Sequence, residues 1–181
     1  YIEAAKILET HILRLWCGNK NSEEYTQAEK EALFAQCQAV AKIAERNGVV
    51  LCMECHNNTY TNAKEAAFEL VQKVNSPSFR MYWQPNQFKT EQENLDYASL
   101  LSQYTVNIHV FNWEGDKRYP LSDAKAVWQR YWRLLPSMFM CLIGKVMKNF
   151  LCRVPLIPGK SIVPFSMKRK FYFWNLCPMI K

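Results

Sequence analysis

The chain has 181 residues, enough for one domain with a sizeable core but short of the roughly 250 residues of a complete eight-stranded α/β barrel. Nearly half of the residues are hydrophobic and the formal net charge is +7. Yet residues 1–136 carry −1 and residues 137–181 carry +8. A nucleic-acid surface would therefore rest on the tail alone, and no run of 18 apolar residues or signal-like leader points to a membrane.

Tyr1 opens inside a helical pattern (Ile2, Ala5, Ile7, Leu8), so a cut N-terminus is expected. Residues His11 to Trp16 read as a first strand, closed by Cys17-Gly18-Asn19. A helix is predicted from Thr26 to Asn47, with Leu33, Phe34, Cys37, Val40, Ala41 and Ala44 at helical spacing. Thr26 with Glu29 forms a capping-box pattern, and Asn47-Gly48 supplies the stop. The second strand spans Val49 to Cys55, followed by a loop from His56 to Thr61 and a helix from Asn62 to Val74. Asn75-Ser76-Pro77 breaks the chain before a third strand, Phe79 to Trp83. A helix from Glu91 to Gln103 leads to the fourth strand, Val106 to Phe111. A polar loop from Asn112 to Pro120 precedes a last helix, Ser122 to Leu135, with Val127, Trp128, Tyr131 and Leu134 on one side.

Strands alternating with helices imply a parallel sheet with crossover helices, in either an open sheet or a barrel. Neither a dinucleotide fingerprint nor a P-loop is present, which disfavours the nucleotide-binding open sheets. The segment 137–181 has no Asp or Glu and no clean periodicity, and Pro155, Pro158, Pro164 and Pro178 interrupt it. It reads as an atypical basic tail, either out of frame with the first 136 residues or disordered. The seven cysteines are odd in number and irregularly spaced, as expected of free thiols in a reducing cytoplasm. Cys52 and Cys55 fall within one strand at an offset that faces them apart, against a redox pair or zinc knuckle.

Polar residues collect at the C-terminal ends of the strands, the edge where α/β sheets and barrels bind ligands. Glu54 and His56 are two apart and share a face. A carboxylate closing an apolar strand needs a partner, either a divalent cation or a neighbouring Arg or Lys. Gln84 and Asn86 offer neutral oxygens for a sugar hydroxyl, a hard cation or plain turn chemistry. His109 is either a hydrogen-bonded core residue or a ligand level with Glu54. Arg14 shares a face with Trp16 and could bind an anion or neutralise a carboxylate.

Taken together, Glu54-x-His56 with Asn57, then Trp83-Gln84-Pro85-Asn86, then Ile108-His109-Val110 leading to Arg118-x-Pro120-Leu121, resemble the sugar phosphate isomerase/epimerase family of xylose-isomerase-like barrels. The Arg14-Leu15-Trp16-Cys17-Gly18 strand end is also similar to that family's, and the resemblance covers about residues 1–135. It implies a partial (β/α) TIM-type barrel of about four parallel strands in residues 1–136. It also implies an enzyme that moves a proton next to a sugar carbonyl through an enediolate, with a divalent metal (Mn, Mg, Co or Zn) bridging the oxygens. On that resemblance Glu54 is both catalytic and a metal ligand, with His109 and Gln84 completing the metal set. His56, Gln84, Asn86, Arg118 and Trp16 lie on the substrate side. Two departures are visible: Gln84 stands where the family most often has a metal-binding Asp, and residues 137–181 hold no acid to serve as the family's final Glu. Weak or absent activity is therefore expected of this chain.

The expected ligand is a small sugar or sugar phosphate, with no nucleic acid and no membrane. The exposed edges of half a barrel allow a homo-oligomer. Two other readings are a non-enzymatic fragment with a basic aromatic tail (Lys168-Arg169-Lys170 with Phe171 to Trp174) and an endonuclease of the same barrel superfamily. The second is disfavoured because three histidines and a neutral first part suit neither several metals nor a phosphate backbone.

Overall fold

The computed structural model describes residues 1–135 and the backbone of residues 140–142. The expectations placed on the rest of the tail, its aromatic cluster included, lie outside the described residues.

Helix α1 (Ile2–Ile7) leads into β1 (Ile12–Leu15), and three βα units follow: α2 (Gln27–Arg46) and β2 (Val50–Glu54), α3 (Lys64–Val74) and β3 (Phe79–Trp83), α4 (Glu91–Leu101) and β4 (Thr105–Val110). A hairpin of β5 (Trp113–Glu114) and β6 (Lys117–Arg118) precedes α5 (Lys125–Leu134) and β7 (Met140–Leu142). The large sheet runs β1-β2-β3-β4-β7, every neighbour parallel. Each strand lies beside the next in sequence. An open doubly wound sheet reverses its strand order at a switch point, so this order is that of a barrel wall. The fold is part of a (β/α) barrel. Met140–Leu142, placed in the aperiodic segment by sequence, continues the wall as a fifth strand beside Ile108–Val110. Three residues carry too little pattern to be read as a strand without that neighbour.

Strand parity divides the sheet into two faces. Leu51, Met53 and Cys55, Phe79, Met81 and Trp83, and Ile108 and Val110 join the core against the helices. That core includes Ala41 and Ala44 of α2, Leu70 and Val71 of α3, Ala98 and Leu101 of α4, and Trp128 and Tyr131 of α5. The intervening residues, among them Glu54 and His109, face the other way. Val40 and Leu134, expected on buried stripes, are exposed because each lies at the rim of its helix's apolar arc. Cys52 and Cys55 are free and buried, and burial pushes both thiols up to about 12, so neither is a ready nucleophile at neutral pH.

The helix caps form as the sequence implies. The Thr26 hydroxyl accepts from the Glu29 N–H, the Glu29 carboxylate accepts from the Thr26 N–H at 2.8 Å, and Thr90 with Glu93 repeats the arrangement on α4. The Lys20 ammonium, 2.8 Å away, and the Thr26 N–H and hydroxyl hold the Glu29 carboxyl at about 2, below its ordinary 4.5. A carboxyl lowered in the folded state contributes stability above its unfolded value and loses it as pH falls through the folded one. Glu29→Gln is therefore expected to weaken the fold near neutrality and to flatten its loss of stability between pH 4.5 and about 2. Urea midpoints of both proteins across that interval check it. Parallel curves would show that this carboxylate plays no such part.

Candidate active site at the strand ends

Backbone register sets the site. Leu15 pairs with Met53, so the next residues, Trp16 and Glu54, come side by side. Trp83 pairs with Ile108, so Gln84 falls beside His109. An irregularity between Met81 and Tyr82 sets this pairing: Met81 lies opposite Thr105, but Tyr82 lies opposite Asn107. These in-register neighbours bond directly. Trp16 Nε1–H donates to Glu54 Oε2 at 2.5 Å, and His109 Nδ1–H donates to Gln84 Oε1 at 2.6 Å.

Glu54 is 3% exposed and His109 2% exposed. His109 Nδ1 is also 3.1 Å from Glu54 Oε1, and Arg14 Nη1 is 3.4 Å from the same oxygen. Arg14 Nη1 further lies 3.2 Å from His109 Nε2. A guanidinium only donates, so Nε2 accepts and the network assigns the His109 proton to Nδ1. Gln84 Nε2 donates to the Cys55 carbonyl at 3.1 Å, which turns its oxygen towards His109. Burial alone would raise the Glu54 carboxyl, but the His109 N–H, the Arg14 guanidinium and the Trp16 N–H outweigh it and hold the carboxyl below its ordinary value. Thr61 Oγ1 donates to the Glu54 carbonyl at 2.6 Å and braces the backbone behind it.

Beside this cluster, Trp16 and His56 stack with ring centroids 4.6 Å apart and planes 22° apart. His56 Nδ1–H donates to the Asn57 carbonyl at 2.6 Å, which leaves Nε2 as an acceptor. Trp16 is 51% exposed, so the stack offers a flat aromatic face at the open edge. Asn86 Nδ2 donates to Asn57 Oδ1 at 2.8 Å, while its Oδ1 accepts from the Phe88 N–H. Both ends of Asn86 thus serve the loop. Arg118 sits on the hairpin, its guanidinium 4.7 Å from the centre of the Trp113 ring.

The structure therefore brings Trp16, Glu54, His56, Gln84 and His109 together. Asn86 joins through Asn57, and Arg118 stays with Trp113. Sequence reading missed Tyr82, whose ring meets His109 edge-on at 4.4 Å and lies 5.9 Å from the Arg14 guanidinium carbon. Its signal was parity, since it stands two before Gln84 on one strand. The hairpin was also missed, although Gly115-Asp116 between two dipeptides is a hairpin signature.

Glu54 Oε1, Gln84 Oε1 and a His109 nitrogen converge as oxygen and nitrogen donors, a set that suits Mg, Mn, Co or Zn. It holds a single carboxylate. Among the described residues no group of three or more His, Cys, Asp or Glu could hold a metal. No helix among them is long and apolar enough to cross a membrane.

A family-level comparison matches residues 1–135 to the xylose isomerase-like TIM barrel. No curated protein matches the chain. Among solved structures, the chain is similar to a xylose isomerase domain protein from Planctomyces limnophilus, with a TM-score of 0.61 at 15% identity over 80% of this chain and 55% of that one. A xylose isomerase-like TIM barrel protein from Mycobacterium smegmatis in complex with magnesium gives a TM-score of 0.55 at 12% identity, over 78% of this chain and 56% of that one. A D-allulose 3-epimerase from Methylomonas sp., in complex with D-allulose, gives 0.56 at 13% identity, over 78% and 52%. The chain thus spans about half the length of these structures. At such identities the likeness speaks for the fold.

Proposed function

The chain belongs to the xylose isomerase-like TIM barrel family, and from that premise we propose that its strand ends bind a small sugar or sugar phosphate and support proton transfer next to its carbonyl, as in sugar isomerases and epimerases. The observation that carries the reading is Glu54: a buried carboxylate, held ionised by three donors, at the C-terminal end of a barrel strand.

Glu54 is the proposed proton acceptor. Its ring of N–H donors orients the carboxylate and lowers its basicity, so an incoming substrate must share or displace some of them to raise its reactivity. The Trp16–His56 stack supplies an apolar face for the ring or chain of the sugar, with His56 Nε2 as a hydroxyl partner. Gln84 is a positioning residue that fixes the His109 ring, and Asn86 steadies the loop of His56 and Asn57. Arg118 would approach a substrate's outer end from the hairpin.

Glu54, His109 and Gln84 are the proposed holders of a divalent ion. When bound, such an ion would polarise the carbonyl oxygen and stabilise charge developing there. With one carboxylate in the set, its affinity is expected to be weak.

The test is carbon-bound deuterium uptake from heavy water, followed by NMR, with D-allulose, D-tagatose and L-ribulose as probes and Mn²⁺ or Mg²⁺ present. Uptake that falls about 10²–10⁴-fold in Glu54→Gln is expected, the usual worth of a positioned general base. Uptake unchanged in the variant would overturn the assignment of Glu54, and uptake absent in the wild type with every probe would replace the reading by its alternative, a non-enzymatic fragment.

A further inference from the structure

Arg14 spends one nitrogen on both halves of the proposed ion-holding pair. Its Nη1 is 3.4 Å from Glu54 Oε1 and 3.2 Å from His109 Nε2. With Nε2 accepting from Arg14 and Nδ1–H donating to Gln84, both ring nitrogens of His109 are engaged. An ion held through Nδ1 needs that nitrogen's lone pair. The ring proton must then move to Nε2, where it meets the N–H of Arg14, donor against donor. An ion held through Nε2 needs the place that Nη1 takes. In both cases Arg14 must leave, and two cations sharing one carboxylate repel each other besides.

The side chain has somewhere to go. It is 38% exposed, whereas Glu54 and His109 are buried, so solvent is open to it, and its guanidinium carbon already lies 5.9 Å from the centre of the Tyr82 ring.

We infer that Arg14 is a built-in competitor for the divalent ion at this site: guanidinium and ion are alternative partners of the Glu54–His109 pair. The inference rests on the reading of that pair as ion-holding. Its consequence is that the wild-type chain binds divalent ions weakly for a reason internal to β1, and that loading requires Arg14 to swing away.

Mn²⁺ titrations of the full chain, read by the loss of the free-ion EPR signal, test it on the wild type, Arg14→Met and Arg14→Lys. The Met variant keeps the apolar stem and removes the charge. It is expected to bind Mn²⁺ about tenfold tighter or more, the scale of lifting one adjacent like charge. The Lys variant keeps the charge but has no planar fork to bridge carboxylate and imidazole, so it is expected to fall between the two. It also retains the countercharge of Glu54, which guards the comparison if the Met variant does not fold. Equal Mn²⁺ affinity in the wild type and the folded variants, whether measurable or nil, overturns the inference even if Glu54-dependent deuterium uptake is intact. Tightening upholds it even if no sugar probe is turned over.

Discussion

Trp128→Ala is expected to cost about 3–5 kcal/mol, the range for truncating a fully buried aromatic side chain. Trp128 is 1% exposed and lies where α5 closes on the sheet. Its ring meets Trp83 edge-on with centroids 6.2 Å apart and Tyr131 at 5.3 Å, and a tilted contact with Trp132 lies at 5.5 Å. Its Nε1–H donates to the Phe111 carbonyl at 2.9 Å, just past the end of β4. Alanine removes the packing and leaves that carbonyl without this donor. A domain of this size is stable by only about 5–15 kcal/mol, so much of the margin disappears. Trp128→Phe keeps most of the volume and loses the bond, and is expected to cost about 1–3 kcal/mol. Urea melts of both variants check the pair. If the two changes cost the same, the hydrogen bond and not the aromatic cluster would dominate, contrary to this account.

Gln84→Leu is expected to cost about 1–3 kcal/mol in stability and to loosen His109. The amide clamps two elements: its nitrogen serves the Cys55 carbonyl just past the end of β2 and its oxygen the His109 imidazole on β4. Leucine has nearly the right size but answers neither group, so a buried carbonyl and a buried N–H each lose a partner. His109 Nδ1–H would then lean wholly on Glu54 Oε1, 3.1 Å away. Gln84→Glu separates the two roles. Its carboxylate still accepts from His109, but it faces the Cys55 carbonyl without a donor and adds a second negative charge beside Glu54. That variant should be less stable alone and regain stability on adding Mn²⁺, because binding to the folded state shifts the equilibrium by mass action. Thermal melts with and without Mn²⁺ measure both effects. A metal-independent melting temperature for Gln84→Glu would count against Gln84 as a member of the ion-holding set.

Much of the architecture was legible in the residues. Thr26 with Glu29, Asn47-Gly48 and Asn75-Ser76-Pro77 punctuate the helices through local hydrogen bonding and backbone preference, which need no distant partner. The apolar runs at Val49, Phe79 and Val106 marked three strands because a barrel strand is covered by helices on one face and by the barrel interior on the other, so both faces are largely apolar. The short hairpin and Met140–Leu142 escaped, since two or three residues carry no periodicity. Exposure of Val40 and Leu134 escaped as well, because the edge of an apolar arc is decided by how closely the next helix packs.

By itself the sequence determined the alternation of strands and helices, the shared face of Glu54 with His56 and of Arg14 with Trp16, and the motifs that mark the family. These depend on periods of 2 and 3.6 residues along one chain. Only the tertiary structure decided that the wall is wound in one direction, that Gln84 comes level with His109 across an irregular register, and that Arg14 reaches both Glu54 and His109. Those three outcomes depend on how strands slide against one another. A shift of one residue would turn every one of these side chains to the opposite face while leaving each strand's own pattern unchanged.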